Sequence, residues 1–233
     1  MFHIVARVPE APIHLRPAAE LAERVLLPGD PHRALHVAQA LLEQPKMFNH
    51  HRGLWGYSGT ARDGSLLTVQ STGMGGPSAA IVVEELIALG ARRLVRIGTC
   101  GALRDDLEVG SLLAAVDALP ADGASRALGA DGRVSGHPGL TERLVDAGAE
   151  PVTVATTDLF YDDRDLRDGV AAAVEMETAT LFTLAALRGV EAAAVLGVTD
   201  VPTDGGARRA SPEELEEIGL RVGRAGYAAL RAR

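Results

Sequence analysis

Short apolar runs that stop abruptly at glycine or at a lone charged residue constrain this chain most. RVLL meets PGDPHR, SLLTVQ meets STGMGGPS, RRLVRIG meets TCGA, VAAAV meets EMETA, and VEAAAVLGV meets TD. Aliphatic runs of this length, bounded by turn residues, read as strands buried on both faces. The segments between them carry helical spacing. Pro31 can open a helix whose pattern continues through HRALHVAQALLE, and AAIVVEELIALG ends at Gly90. Strands alternating with helices predict a mostly parallel sheet covered on both faces. Asp63-Gly64 lies between two strand-like runs and predicts a hairpin, which makes the sheet mixed.

The remaining elements follow the same rules. The first strand is expected at Arg24 to Leu27, and TCGAL after the central strand reads as a tight loop. GLTERLVDAG predicts a short helix, and EPVTVATTDLFY a strand running into a loop. The segment TDGGARR reads as flexible. Ser211 is the expected N-cap of a last helix with acidic residues in its first turn. With 233 residues and no repeat or linker, residues 1–233 are expected to form a single α/β domain.

Composition narrows the partners. Aromatic residues are only 3%, so Ala, Val and Leu must fill the core. The net charge of −8 and the lack of a basic block argue against nucleic acid. One cysteine, Cys100, excludes an internal disulfide and suits a reducing compartment. The N-terminal MFHIVARVPEAPIHLRP lacks signal-peptide character, and no stretch is long enough to span a membrane. A cytoplasmic location is the expectation. No histidine shows metal-ligand spacing, so no metal site is expected.

Ligands of such sheets collect beyond the carboxyl ends of strands. Arg96 lies inside the apolar RLVRIG run. A buried arginine needs an anionic partner. Two readings fit it: an ion pair with a core carboxylate, or an anion clamp completed by Gly98, Thr99 and Gly101. VEMETA places Glu175 and Glu177 on one side of an extended chain, or else on a solvated helix start. Asp200 ends an apolar strand and reads either as a site residue or as a turn cap. Cys100 reads as a small buried residue, since no histidine is placed to activate it.

VLLPGDPHRA, HRGLWGYSG, STGMGGPSAAIVVEELIALGARRLVRIGTCGA, TDLFY and VEMETATL occur here in order. Together they resemble the bacterial purine nucleoside phosphorylases and uridine phosphorylases, the family of trimeric and hexameric nucleoside phosphorylases. The resemblance runs from about Pro12 to Asp200 and is tightest over residues 24–104. It implies a three-layer αβα fold with a mixed central sheet. It also implies a hexamer, built as a trimer of dimers, whose active sites are completed by the neighbouring chain.

The resemblance assigns roles residue by residue. Gly29, Arg33, Arg96 and Thr99 would bind phosphate, and Arg52 would reach the neighbour's phosphate site. His14 would touch the neighbour's ribose 5′-hydroxyl. Met74, Met176 and Glu177 match ribose contacts, Phe160 a base-stacking residue, and Glu175 a position near base or ribose. Asp200 matches the general acid that protonates purine N7, a role that asks for a carboxyl raised by burial. The family's arginine that assists this acid sits on a helix; Arg208 and Arg209 are the nearby arginines here, at a different spacing. Inorganic phosphate is the implied co-substrate, with no other cofactor.

STGMGGPS and PADGAS lean toward the uridine branch. Asp200 is the purine-branch residue, and DDRDLRDGVAAAV, shorter than in the pyrimidine enzymes, carries no glutamine to read uracil. The reading is therefore a purine nucleoside phosphorylase. The alternatives are a uridine phosphorylase, a methylthioadenosine-type nucleosidase and a non-catalytic nucleoside-binding protein.

Overall fold

The structure, a computed structural model, describes residues 12–162 and 169–231. The N-terminal residues 1–11, and residues 163–168 on which part of the purine reading rests, lie outside the described residues. The chain order is β1 (Arg24–Leu27), α1 (Pro31–Leu41), β2 (Leu42–Asn49), a 3-10 turn (His51–Gly53), β3 (Gly56–Ala61), β4 (Leu66–Gln70), α2 (Gly76–Ala88), β5 (Arg93–Ala102) and β6 (Leu112–Pro120). Then follow α3 (Gly123–Ala127), β7 (Val134–Ser135), α4 (Pro138–Asp146), β8 (Glu150–Thr156), β9 (Ala173–Glu175), α5 (Thr178–Arg188), β10 (Glu191–Thr203), β11 (Gly206–Arg209) and α6 (Pro212–Leu230).

One mixed sheet carries the strands. β5 pairs in parallel with both β1 and β10, and β1 pairs in parallel with β4. β4, β3 and β2 continue antiparallel to that edge, with the Asp63-Gly64 hairpin joining β3 to β4. On the other side β10 pairs with β6, β6 with β8, β8 with β9, and β9 returns to β5. Strands β5, β10, β6, β8 and β9 thus close into a ring at one end of the sheet.

Period-2 alternation on buried strands feeds two cores. Ala192, Ala194, Leu196 and Val198 of β10 join Val82, Val83 and Leu86 of α2 and Leu181 and Phe182 of α5. Ala193 and Val195 join Val37 of α1, Leu140 of α4 and Val222 of α6. Helices therefore cover both faces, and the expected three-layer αβα architecture is present. Close approach of α6 to its neighbours is made by removing side chains. A Cβ on Gly226 of α6 would stand 2.6 Å from Ile97 Cγ2, and one on Gly223 would stand 2.8 Å from Val37 Cγ2.

Several elements differ from the sequence reading. The first helix stops at Leu41, because Leu42 is already extended and Pro45 disfavours a helical residue before it. The strand β2 that follows lies at the sheet edge, where proline is tolerated; its register shifts around Gln44, whose φ is 45°. TCGA is not a loop. It continues β5, because β10 and β9 flank it and pair with Thr99 and Gly101. TDGGARR forms the second half of a hairpin: Asp204-Gly205 is the turn, the same dipeptide signal as Asp63-Gly64, and β11 returns along β10. Ser211 caps α6 with a full capping box to Glu214. Among the described residues, no helix is long and apolar enough to cross a membrane.

Candidate active site

A cavity of about 660 Å³ opens at the carboxyl ends of β1, β5, β9 and β10. It is lined by Gly29, Arg33, Met74, Arg96, Thr99, Phe160, Glu175, Met176, Glu177 and Asp200, each a residue singled out in the sequence. Arg52 and His14 do not line it.

Arg96 organises the floor. Its side chain is 6% exposed. Nε donates to Glu175 Oε2 at 3.0 Å, and Nη2 lies 2.5 Å from Glu177 Oε2. Burial opposes the guanidinium charge, but the Glu177 and Glu175 carboxylates outweigh it, so the group is held above its ordinary range. The two readings of Arg96 therefore meet: it is paired with core carboxylates and it faces a cavity. Its guanidinium lies over Gly98, where a Cβ would come within 2.7 Å of Cζ.

Glu175 and Glu177 are both buried, which removes the solvated helix-start reading. Their roles differ. Glu175 receives Thr156 Oγ1 at 2.5 Å, the Glu177 N–H at 2.9 Å and the Thr178 N–H at 2.9 Å besides Arg96. Its carboxylate is buried and hydrogen-bonded from four directions, and the residue also borders the cavity. Glu177 receives the Gly75 N–H and Arg96 and keeps acceptor capacity toward the cavity. Burial pushes its carboxyl up; Arg96 pulls it down, Glu175 pushes it up, and the net shift is upward.

The turn after β1 supplies a second cation. Asp30 caps α1 through the N–H groups of His32 and Arg33, which fixes PGDP as a stiff entry to the helix. Arg33 then reaches back, with Nη1 3.4 Å from the Ile97 carbonyl. Burial lowers its pKa; Asp30 works against that, and Arg96 lowers it further. Arg33, Arg96, Thr99 and Gly29 line one wall of the cavity and together offer guanidinium, hydroxyl and backbone donors of the kind that bind an oxyanion, with Glu175 and Glu177 balancing part of the positive charge.

Asp200 stands at the opposite rim. It is 31% exposed rather than buried, and its Oδ1 lies 3.0 Å from Arg209 Nε. Thr199 Oγ1 lies 2.8 Å from Oδ2. Arg209 comes from β11, directly opposite Asp200 in the hairpin register, and its guanidinium carbon lies 5.9 Å from the Phe160 ring centre. The arginine paired with Asp200 thus comes from a strand, not from a helix. Met74 and Phe160 form the outer lip, 84% and 62% exposed.

His14 and the His51–Gly53 turn that carries Arg52 lie together, outside the cavity lining. His51 Nδ1 lies 3.1 Å from the His14 carbonyl, and Arg52 is exposed with φ 59°. Glu85, not singled out in the sequence, receives the N–H groups of Ile13, His14 and Leu15 and lies 2.7 Å from His14 Nδ1. A glutamate within the apolar face of AAIVVEELIALG was the signal available for it. Cys100 also lines the cavity. Burial, with Glu175 and Asp200 nearby, pushes its thiol far up, so it is inert as a nucleophile. Among the described residues, no group of His, Cys, Asp and Glu side chains is placed to hold a metal ion.

The family model of the phosphorylase superfamily matches residues 23–232. The chain belongs to this superfamily. Among its curated relatives is a DeoD-type purine nucleoside phosphorylase of Bacillus cereus, 40% identical over 195 residues, covering 78% of this chain and 83% of that one. The enzyme of the same name from Bacillus mycoides matches equally. A crystal structure of uridine phosphorylase from Vibrio fischeri superposes with a TM-score of 0.77 at 24% identity, covering 90% of each chain. This second likeness shows the shared phosphorylase fold.

Proposed function

We propose that this chain is a purine nucleoside phosphorylase, a pentosyltransferase that converts a purine nucleoside and inorganic phosphate to free base and ribose 1-phosphate. The convergence of Arg33, Arg96 and Asp200 on one cavity carries this reading, and the 40% identity to DeoD-type purine nucleoside phosphorylases supports it.

Phosphate sits on the Arg33 and Arg96 guanidinium groups, the Thr99 hydroxyl and the Gly29 backbone. Glu177 accepts hydrogen bonds from the ribose 2′- and 3′-hydroxyls, with Met74 and Met176 against the sugar. Phe160 stacks on the base. As the bond from C1′ to the base breaks, the sugar gains oxocarbenium character, which the phosphate oxygens below it stabilise. A phosphate oxygen then bonds to C1′. The Asp200 proton passes to purine N7, and Arg209 offers the resulting carboxylate a partner.

The chain works as a single domain in the cytoplasm and assembles as a hexamer, a trimer of dimers. The position of His14 and Arg52 outside their own cavity supports a site completed by a neighbour. No cofactor beyond the co-substrate phosphate is required.

The decisive experiment measures base release from inosine, adenosine and uridine, each with and without phosphate. Phosphate-dependent release from a purine nucleoside is expected. Release without phosphate would identify a nucleosidase, release from uridine alone the pyrimidine reaction, and no turnover a binding protein.

A further inference from the structure

Thr157 is a residue of the cavity wall whose hydroxyl has nothing to bond. Its side-chain oxygen is shielded from solvent, and among the described residues it finds no hydrogen-bond partner. Among the described residues six buried side-chain atoms, Thr157 Oγ1 included, are in that condition, and of these only Thr157 belongs to the cavity lining. The neighbouring Thr156 shows the contrast: its hydroxyl is spent on Glu175 and on the Ala179 N–H. A buried orphan hydroxyl is costly, and native proteins keep few of them without a use.

The backbone holds Thr157 in place. Its N–H donates to the Glu175 carbonyl at 2.9 Å, and the next residue, Asp158, accepts the Gly123 N–H at 2.7 Å. The sheet register defines what lies across from it. Asp200 is opposite Gly101, Gly101 is opposite Val174, and Val174 is opposite Ala155, two residues before Thr157. Gly101 and Val174 both line the cavity between the two. Asp200 and Thr157 therefore flank the same floor from opposite sides of the strand ring.

We infer that Thr157 is a specificity-determining residue that hydrogen-bonds the pyrimidine-ring edge of the bound base, while Asp200 serves the imidazole-ring edge. The inference rests on the proposed phosphorylase reading for its choice of ligand. A hydroxyl both donates and accepts, so it can meet a ring nitrogen or an exocyclic amino group on that edge. Sites that bond a polar edge reject ligands lacking it more strongly than apolar walls do.

The test compares wild type, Thr157→Val and Thr157→Ser. Val keeps the shape and removes the hydroxyl; Ser keeps the hydroxyl. In T157V, KM for inosine and guanosine should rise roughly fivefold to twentyfold, with kcat within about twofold and KM for phosphate unchanged. T157S should restore KM, and ligand-free T157V should melt no lower than wild type, because the orphan hydroxyl is gone. Unchanged nucleoside KM in T157V overturns the inference, as does a lowered Tm with both substrates' KM raised, which marks a structural role. If wild type cleaves no purine nucleoside, the phosphorylase reading fails separately, and calorimetry with hypoxanthine and uracil decides this one. Base affinity lost in T157V and kept in T157S supports it. Equal affinity, or no base bound by any of the three, overturns it.

Discussion

Arg96 Nε donates to Glu175 Oε2 at 3.0 Å, and both side chains are buried. The carboxylate is the fixed end of this pair, since three other donors hold it. Glu175→Gln turns one acceptor into an NH₂ group facing an N–H. Removing one partner of a buried ion pair costs about 3 kcal/mol or more, which corresponds to a fall in Tm of roughly 6–12 °C for a chain of this size. KM for phosphate should rise roughly tenfold while KM for inosine changes less. Thermal melts and steady-state kinetics on E175Q read both; a variant that loses nucleoside affinity and keeps phosphate affinity would assign Glu175 a direct ligand role.

Gly98 is the space into which Arg96 folds. A Cβ there would stand 2.7 Å from Arg96 Cζ and Nη2, and 2.7 Å from Leu196 Cδ2 on the adjacent strand. Gly98→Ala forces the guanidinium away from its two carboxylates. Overpacking of this kind costs about 1–3 kcal/mol. The expected signature is a lowered Tm with phosphate affinity reduced roughly tenfold, measured by phosphate titration at saturating inosine. A G98A enzyme with native phosphate KM would show that the arginine does not need this seat.

Asp200 and Arg209 form an ion pair at the cavity rim, set opposite each other in a two-residue hairpin. Asp200→Asn should lower kcat for inosine by about 10²–10⁴-fold, the usual worth of a general acid. Arg209→Gln should lower it by roughly tenfold, because the pair's carboxylate loses its partner. The double variant should be no slower than D200N, since the two act as one unit. Inosine and adenosine turnover unchanged in D200N would remove Asp200 from the acid role.

The sequence was most legible where one residue type had one physical use. Arg24 to Leu27, Pro31 after Asp30, Asp63-Gly64 and Ser211 each carried a strand, cap or turn signal that the structure repeats. Arg96 stands out as a charge inside an apolar run, and the structure places it in the cavity wall. The failures came where tertiary partners decide. TCGA looks like a loop by composition and is a strand because β9 and β10 flank it. The engagement of Glu175 depends on Thr156, Glu177 and Thr178 meeting across separate elements, which no spacing reveals. Arg209 is within reach of the sequence: TDGGARR reads as flexible by composition, yet its Asp204-Gly205 turn signal places Arg209 opposite Asp200.

Glu85 ties the N-terminal segment to α2. Burial pushes its carboxyl up, but the His14 ring and the N–H groups of Leu15, His14 and Ile13 outweigh that, so its pKa lies below the ordinary 4.5. A depressed carboxyl stabilises the fold above its unfolded value and loses that contribution as pH falls through the lowered one. Wild type should therefore exceed Glu85→Gln in Tm at neutral pH, with the gap closing as pH drops below about 4.5. Hydrogen exchange across residues 13–16 should be faster in E85Q at neutral pH. Parallel Tm profiles for the two proteins down to acid pH would assign the segment's stability to other contacts.

Arg24 and Asp63 lock the end of the sheet remote from the cavity. Arg24 Nη1 and Nη2 meet Asp63 Oδ2 and Oδ1 at 2.5 and 2.6 Å, and both side chains are nearly enclosed. The same guanidinium donates to the carbonyls of Leu66, Ser65 and Leu230, so it joins β1, the β3–β4 hairpin and the end of α6. Tyr227 completes the cluster by accepting the Asp63 N–H at 3.0 Å. Asp63→Ala leaves a buried cation without its charge partner, at a cost of about 3–5 kcal/mol. The melting temperature should fall by roughly 6–20 °C, while kcat and both KM values at 25 °C stay as in wild type, because no atom of this cluster lines the site. Replacing both partners at once, Arg24→Met with Asp63→Leu, should recover much of the loss, since paired apolar groups need no compensation. A D63A protein that melts with wild type would show that the carbonyl contacts alone hold the guanidinium.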